Sequence, residues 1–309
     1  MSTVSRSTRP SSVSHATAAK RRGRRNTLIG WTFVLPNFLG FAALTLVPVL
    51  GALAVSFTQW DSYSTPTWIG LDNFRRMGDD DNFWTALENT FYYAGGHIPL
   101  TLAVSLGLAV LLNQKLRGVK ILRTAFFFPY VTSLVAVAVV WNMLLSPDVG
   151  PVNQILHSLG VAHPPGWTTS PQWAMPALII ASVWRDMGYY MVLFLAGLQT
   201  VPAELYEAAR MDGAGPWRRF WHVTLPCLRP TTFFVLVMLT VSSFKVFDLV
   251  QVMTEGGPGR STLVLSQLIF REGITQGRFG YSSAISLALF VICLVITAVQ
   301  FQFQRRSER

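Results

Sequence analysis

Four charged side chains stand where charge is expensive. Arg185 and Asp186 are neighbours in the middle of an apolar run over residues 174–198, and Lys245 and Asp248 lie near the far end of another over 231–253. An ionisable group at the centre of a bilayer costs about 2.5–3.5 kcal/mol on insertion scales, so it turns toward protein or water. Lys245 and Asp248, three residues apart, can pair on one face of a helix. Arg185 and Asp186 point about 100° apart around a helix and are not expected to pair simply on one face. With Asn142, Tyr189 and Tyr190 they could line a polar path through the membrane. Such a lining suits a sugar, because aromatic faces and hydrogen-bonding groups both contact a pyranose ring. For each residue, glue between helices is an equal alternative.

A second polar stretch has a different character. Glu207-Ala208-Ala209-Arg210-Met211-Asp212-Gly213 lies between two long apolar runs and is followed by Val223-Thr224-Leu225-Pro226. Pro202 suits the first turn of a helix. Glu204 and Glu207 complement the positive N-terminal end of the helix dipole. Ala208 and Ala209 favour helix and are small, while Gly213, Gly215 and Pro216 stop it. A short helix with small residues on one side lets another protein approach its backbone closely. Trp217, Phe220 and Trp221 form an aromatic cluster where a membrane interface is expected, and Pro226 is read as the restart into the next run. An ordinary interfacial amphipathic helix fits the same physics.

The elements that position these residues follow from composition. The chain has 309 residues, 51% hydrophobic and only 13% charged, with mean hydropathy +0.39. Soluble domains carry about 25% charged residues, so lipid is the main solvent here. The net charge of +10 does not indicate nucleic acid, because the basic residues sit in short clusters between apolar runs. Six runs reach the roughly 20 residues a membrane helix needs: 28–57, 90–112, 125–145, 174–198, 231–253 and 284–303. The chain is therefore read as an all-α integral membrane protein with six transmembrane helices.

Lysine and arginine placement orients the runs. Lys20, Arg21, Arg22, Arg24 and Arg25 put the N-terminus in the cytoplasm. Lys115, Arg117, Lys120 and Arg123 do the same for the second connection, Arg210, Arg218, Arg219 and Arg229 for the fourth, and Arg305, Arg306 and Arg309 for the C-terminus. The connection with Asp79, Asp80 and Asp81, and the one over 146–172 without lysine or arginine, fall outside. Both termini are thus expected inside a multi-pass cell membrane. Residues 1–27 read as a disordered basic tail; a cleaved signal peptide fits less well, since the apolar run after it is too long. Residues 28–87 hold the first span and an external segment, 88–304 a permease core, and 305–309 a short cytoplasmic tail.

The spacing of Glu207-Ala208-Ala209, Gly213 and Val223-x-Leu225-Pro226 resembles the EAA loop of ABC-importer permeases, in particular the carbohydrate-uptake branch with its maltose-type and glycerol-3-phosphate-type members. Gly70-Leu71-Asp72-Asn73-Phe74, Thr254-Glu255-Gly256-Gly257-Pro258 and Gly280-Tyr281-x-Ser283-Ala284 resemble that branch too. The resemblance covers most of the chain from about residue 28. Val223 departs from the usual isoleucine but keeps a β-branched apolar side chain. The resemblance implies a type I ABC-importer permease fold. It implies partners as well: a second, related permease, two copies of a cytoplasmic ATPase and an extracytoplasmic solute-binding protein. Glu207, Ala208, Ala209, Asp212, Gly213, Leu225 and Pro226 would couple to the ATPase.

Several chemistries have no residues to run on. No G-x-x-x-x-G-K-[ST] phosphate loop occurs, so ATP and Mg are expected on the partner ATPase and no cofactor on this chain. No H-E-x-x-H occurs, and His15, His97, His157, His163 and His222 are scattered, so neither a metal site nor a catalytic site is expected. Cys227 and Cys293 give no disulfide framework. A secondary transporter driven by an ion gradient is the alternative reading; it favours inverted repeats, which are not evident.

Overall fold

In a computed structural model, residues 31–61, 63–114 and 117–307 are described. The tail expected over 1–27, the start of the first run and Lys115 lie outside them. Met1–Ala54 and Val55–Arg309 form two separate compact units. The first contributes nearly all of α1 (Trp31–Val55), with mean hydropathy 2.3 and a π turn at Ala42–Leu46. Most of its side chains are apolar and exposed, Phe33 and Leu44 among them.

The second unit opens with a two-residue hairpin, β1 (Thr58–Gln59) antiparallel to β2 (Thr67–Trp68), with Thr58 opposite Trp68. Then come α2 (Asp72–Asp79), α3 (Asp81–Leu112), α4 (Val119–Val131), α5 (Leu134–Leu144), α6 (Pro151–Ser158) and α7 (Pro171–Gln199). They are followed by α8 (Ala203–Met211), α9 (Pro216–Cys227, with a π turn at Phe220–Thr224), α10 (Arg229–Phe244), α11 (Asp248–Met253), α12 (Leu265–Phe270) and α13 (Phe279–Ser307). Four helices, α1, α3, α7 and α13, are long and apolar enough to cross a membrane unbroken. Counting the bent pairs α4–α5 (99°) and α9–α10 (69°) as one span each gives six.

Three expectations change in detail. The third run, read as one helix over 125–145, breaks where Thr132 turns extended at φ −71°, ψ 158°. The Thr132 hydroxyl donates to the Pro129 carbonyl at 2.7 Å, a local bond that competes with helix continuation. The fifth run, read over 231–253, stops at Phe244 and resumes as α11 only after Lys245–Phe247. The restart assigned to Pro226 comes later, because α9 runs through Pro226 and bends at Leu228.

The core is built around α7. Its Phe194, Met191 and Leu195 meet Leu228, Val235 and Leu239 from α9–α10 and Ala109 and Leu112 from α3. Further along, Met175, Leu178 and Ala181 pack with Leu249 and Val250 of α11. A third cluster joins Phe83 and Ala86 to Leu265, Leu268 and Ile285. Helix α4 crosses α7 so closely at Gly188 that a Cβ there would overlap the Phe126 carbonyl. Glycine is needed for that approach, and overpacking of this kind costs about 1–3 kcal/mol. Gly188→Ala is accordingly expected to lower the thermal midpoint of the purified protein in detergent.

On the side assigned to the exterior, Asp80 ties the helix ends together. Its side chain accepts from the Asn82 backbone N–H at 2.9 Å, capping α3, and from the Tyr281 hydroxyl at 2.6 Å. Arg76 lies 4.3 Å above the same Tyr281 ring. Partial burial works to raise the Asp80 pKa, but the bonds from Tyr281 and Asn82 outweigh it and hold the carboxyl below its ordinary value. A depressed acid stabilises the fold above its unfolded pKa of about 3.9 and loses that contribution as pH falls toward the folded value. Unfolding midpoints measured between pH 7 and pH 3 should therefore fall less steeply in Asp80→Asn than in the wild type.

Candidate functional site

A cavity of about 520 Å³, counting its open mouth, lies where two broken segments meet the long helices. From α3 come Tyr93 and His97; from α7, Ser182, Arg185 and Asp186; from α5, its first residue Leu134. The remaining wall is Ser242 and the stretch from Lys245 to Leu249 across the α10–α11 break. Irregular backbone at membrane depth persists only where protein buries it or where it lines a polar cavity. The break at 245–247 meets that condition.

Asp186 is the centre of the polar contacts. Its Oδ1 accepts from Arg185 Nη1 at 2.6 Å. This corrects the expectation that adjacent residues do not pair: a guanidinium on its long stem reaches back where the Cβ directions diverge. Asp186 Oδ2 lies 3.3 Å from His97 Nε2, within ion-pair distance but off the line of a hydrogen bond, so Nε2 is buried without a hydrogen-bond partner. The other ring nitrogen, Nδ1, shares a hydrogen bond with Ser243 Oγ at 2.9 Å. The His97 ring stacks on Tyr93 at 5.3 Å, and the Tyr93 hydroxyl donates to Ser182 Oγ at 2.7 Å. On the other flank Arg185 sits 5.0 Å over the Tyr130 ring, which stacks on Tyr189 at 4.4 Å. One chain of contacts thus links α3, α4, α7 and α10.

The residues expected along a polar path divide accordingly. Arg185, Asp186, Lys245 and Asp248 all line the cavity. Lys245 and Asp248 do so from opposite sides of the break, not from one helix face, and among the described residues neither has an ion-pair partner. Tyr190 stands beside the cavity with its hydroxyl 3.4 Å from Ser242 Oγ. Tyr189 acts through its stack on Tyr130. Asn142 is elsewhere: it donates to the Val252 carbonyl at 3.2 Å and borders a separate groove with Val139 and Ser146. His97 and Tyr93 were not singled out from the sequence. His97 carried a usable signal, a titratable side chain inside the apolar run 90–112. Among the described residues no three His, Cys, Asp or Glu side chains group as metal ligands.

The second site is α8 and its flanks. Pro202 precedes α8 as its N-cap residue, and Asp212 follows it as C-cap. Gly213 then turns with φ +74°, a left-handed conformation that suits glycine. Glu207, Ala208, Asp212 and Gly213 are exposed, and Ala209 is half-buried. Leu225 and Pro226 are half-buried, and Leu225 packs against the core cluster beneath. The Tyr206 hydroxyl, 3.0 Å from Thr224 Oγ1, fastens α8 to the π turn of α9. Trp217, Phe220 and Trp221 form the expected aromatic cluster, with ring centroids 5.5–6.1 Å apart.

The chain is similar to known proteins. The family model described as "Binding-protein-dependent transport system inner membrane component" matches residues 100–309. A probable ABC transporter permease of Bacillus subtilis (strain 168), YesP, is 38% identical over 283 residues, covering 90% of this chain and 91% of that protein. The lactose transport system permease LacF of Rhizobium radiobacter is 36% identical, covering 90% and 95%. Among solved structures, a chain of a bacterial alginate ABC transporter, in complex with an alginate pentasaccharide-bound periplasmic protein, superposes with a TM-score of 0.81 at 26% identity, covering 93% of this chain and 96% of that one.

Replacing His97 removes a ring that joins α3, α7 and α10. His97→Ala should cost about 1–3 kcal/mol through the polar groups it leaves unpaired. His97→Gln, which keeps a polar partner for Ser243, should recover part of that loss in a thermal melt.

Proposed function

The chain belongs to the family of binding-protein-dependent transport system inner membrane components and is a permease subunit of an ABC importer, and from that premise we propose that it moves a sugar or sugar-like solute through the polar cavity at Asp186. The observation that carries the reading is one polar cavity lined by the α10–α11 break and by Leu134, the first helical residue after the α4–α5 break. A path that must accept hydroxyl groups needs donors and acceptors inside the membrane, and broken helices supply them. A relative named for lactose transport supports a saccharide as the solute class. An extracytoplasmic binding protein delivers it, as the periplasmic protein bound in the solved relative suggests.

Two copies of a separate ATPase, which bind the ATP and Mg, drive the movement, and a second, related permease forms the other half of the path. The segment of α8 and its C-terminal turn, with Glu207, Ala208, Asp212 and Gly213 exposed and Ala209 half-buried, docks on the ATPase. Leu225 and Pro226 serve by anchoring the following segment to the core. Closure of the ATPase pair then shifts α8 and α9 as packed bodies, and the spans swing between inward-open and outward-open states. Both termini lie in the cytoplasm, and residues 88–304 form the working core behind the segment 28–87.

Reversing the charge of Glu207 tests the coupling directly. Glu207→Lys, at unchanged membrane levels, should abolish uptake and release the ATPase when the complex is captured through this chain. Retention of both would remove α8 as the docking element.

A further inference from the structure

The cavity also carries information about the charge of its cargo. Its wall holds two bases, Arg185 and Lys245, and two acids, Asp186 and Asp248, with Tyr93 and His97 as the other titratable groups. Arg185 is already engaged, its Nη1 at 2.6 Å from Asp186. Among the buried side-chain atoms at this wall, His97 Nε2, on a side chain 1% exposed, and Arg185 Nε have no hydrogen-bond partner, and among the described residues the exposed Lys245 and Asp248 make no ion pair. An anionic ligand would find Arg185 shared with a carboxylate, and Lys245 on the same wall as a second carboxylate, Asp248. A hydroxyl-rich uncharged ligand meets no such repulsion and can pair with the exposed side chains of Lys245 and Asp248.

Building on the saccharide reading above, we infer that the cavity selects uncharged saccharides over acidic ones, and that Asp186 and Asp248 determine that specificity by cancelling Arg185 and Lys245. Asp186 does so from a nearly buried position and Asp248 from an exposed one. Removing either acid leaves one base in excess. A unit charge a few ångströms from a ligand carboxylate, partly screened, changes its affinity by about tenfold or more.

The test uses the assembled transporter in nanodiscs, with this chain at full length. Radiolabelled maltose, lactose and cellobiose are each compared in equilibrium binding with the uronic acid derivative of the same linkage. The wild type should retain at least one neutral disaccharide and disfavour its acidic counterpart by about tenfold or more. Asp248→Asn, at an exposed position, should erase most of that discrimination. The double variant Asp248→Asn/Lys245→Gln should restore it, a rescue that lost packing would not produce. Asp186→Asn should act as Asp248→Asn does; if it does not fold, the exposed variant and its rescue decide. A wild-type preference for the acidic sugar, or discrimination unchanged in Asp248→Asn, overturns the inference while leaving the saccharide reading intact. Retention of no saccharide overturns that reading as well.

Discussion

The rest of this structure depends on the requirement that backbone polar groups find partners where no water reaches them. Long helices meet it internally, and α3 and α7 do so over 32 and 29 residues. The irregular stretches at Thr132–Ser133 and at Lys245–Phe247 depart from that regular pattern, Lys245 and Val246 bonding only by short turns to Ser242 and Ser243, and both occur beside the polar cavity that Asp186 lines. A place where helices are interrupted is thus also a place where side chains can keep charge at membrane depth. Breaks and charges are two expressions of the same local relaxation of the membrane's demand.

Close approach is the second condition. Arg185 reaches Tyr130 because α4 lies almost against the backbone of α7 at Gly188. His97 reaches Asp186 because α3 and α7 pack closely, with Ile179 filling the space over Gly96. The polar network is therefore held by small residues that carry no chemistry themselves. The α8 side uses a related device. Tyr206 ties α8 to the π turn of α9, and Leu225 seats the following segment in the core.

Much of this was legible in the order of residues. The six apolar runs, the position of α8, its glycine stop at Gly213 and the aromatic cluster at Trp217 follow from hydropathy, propensity and spacing, all of them local properties. The resemblance carried by Glu207-Ala208-Ala209 and Leu225-Pro226 pointed to the same family that comparison with known proteins then established. Legibility failed where the physics was not local. A run such as 231–253 is uniform enough in hydropathy to look like one helix, and its break at Lys245 answers to neighbours distant in sequence.

What the sequence by itself determined is the membrane class, the apolar runs that give up to six spans and the place of the short helix α8, because apolar length and turn chemistry act over short stretches. What only the tertiary structure decided is which polar residues share a site. It joined Arg185 to Asp186 against the helical-wheel expectation, set Lys245 and Asp248 across a break, sent Asn142 to another groove and brought in His97. The reason is that a side chain's partners inside a membrane are set by helix crossings and by the reach of the side chain, and neither is written in the spacing of residues along one helix.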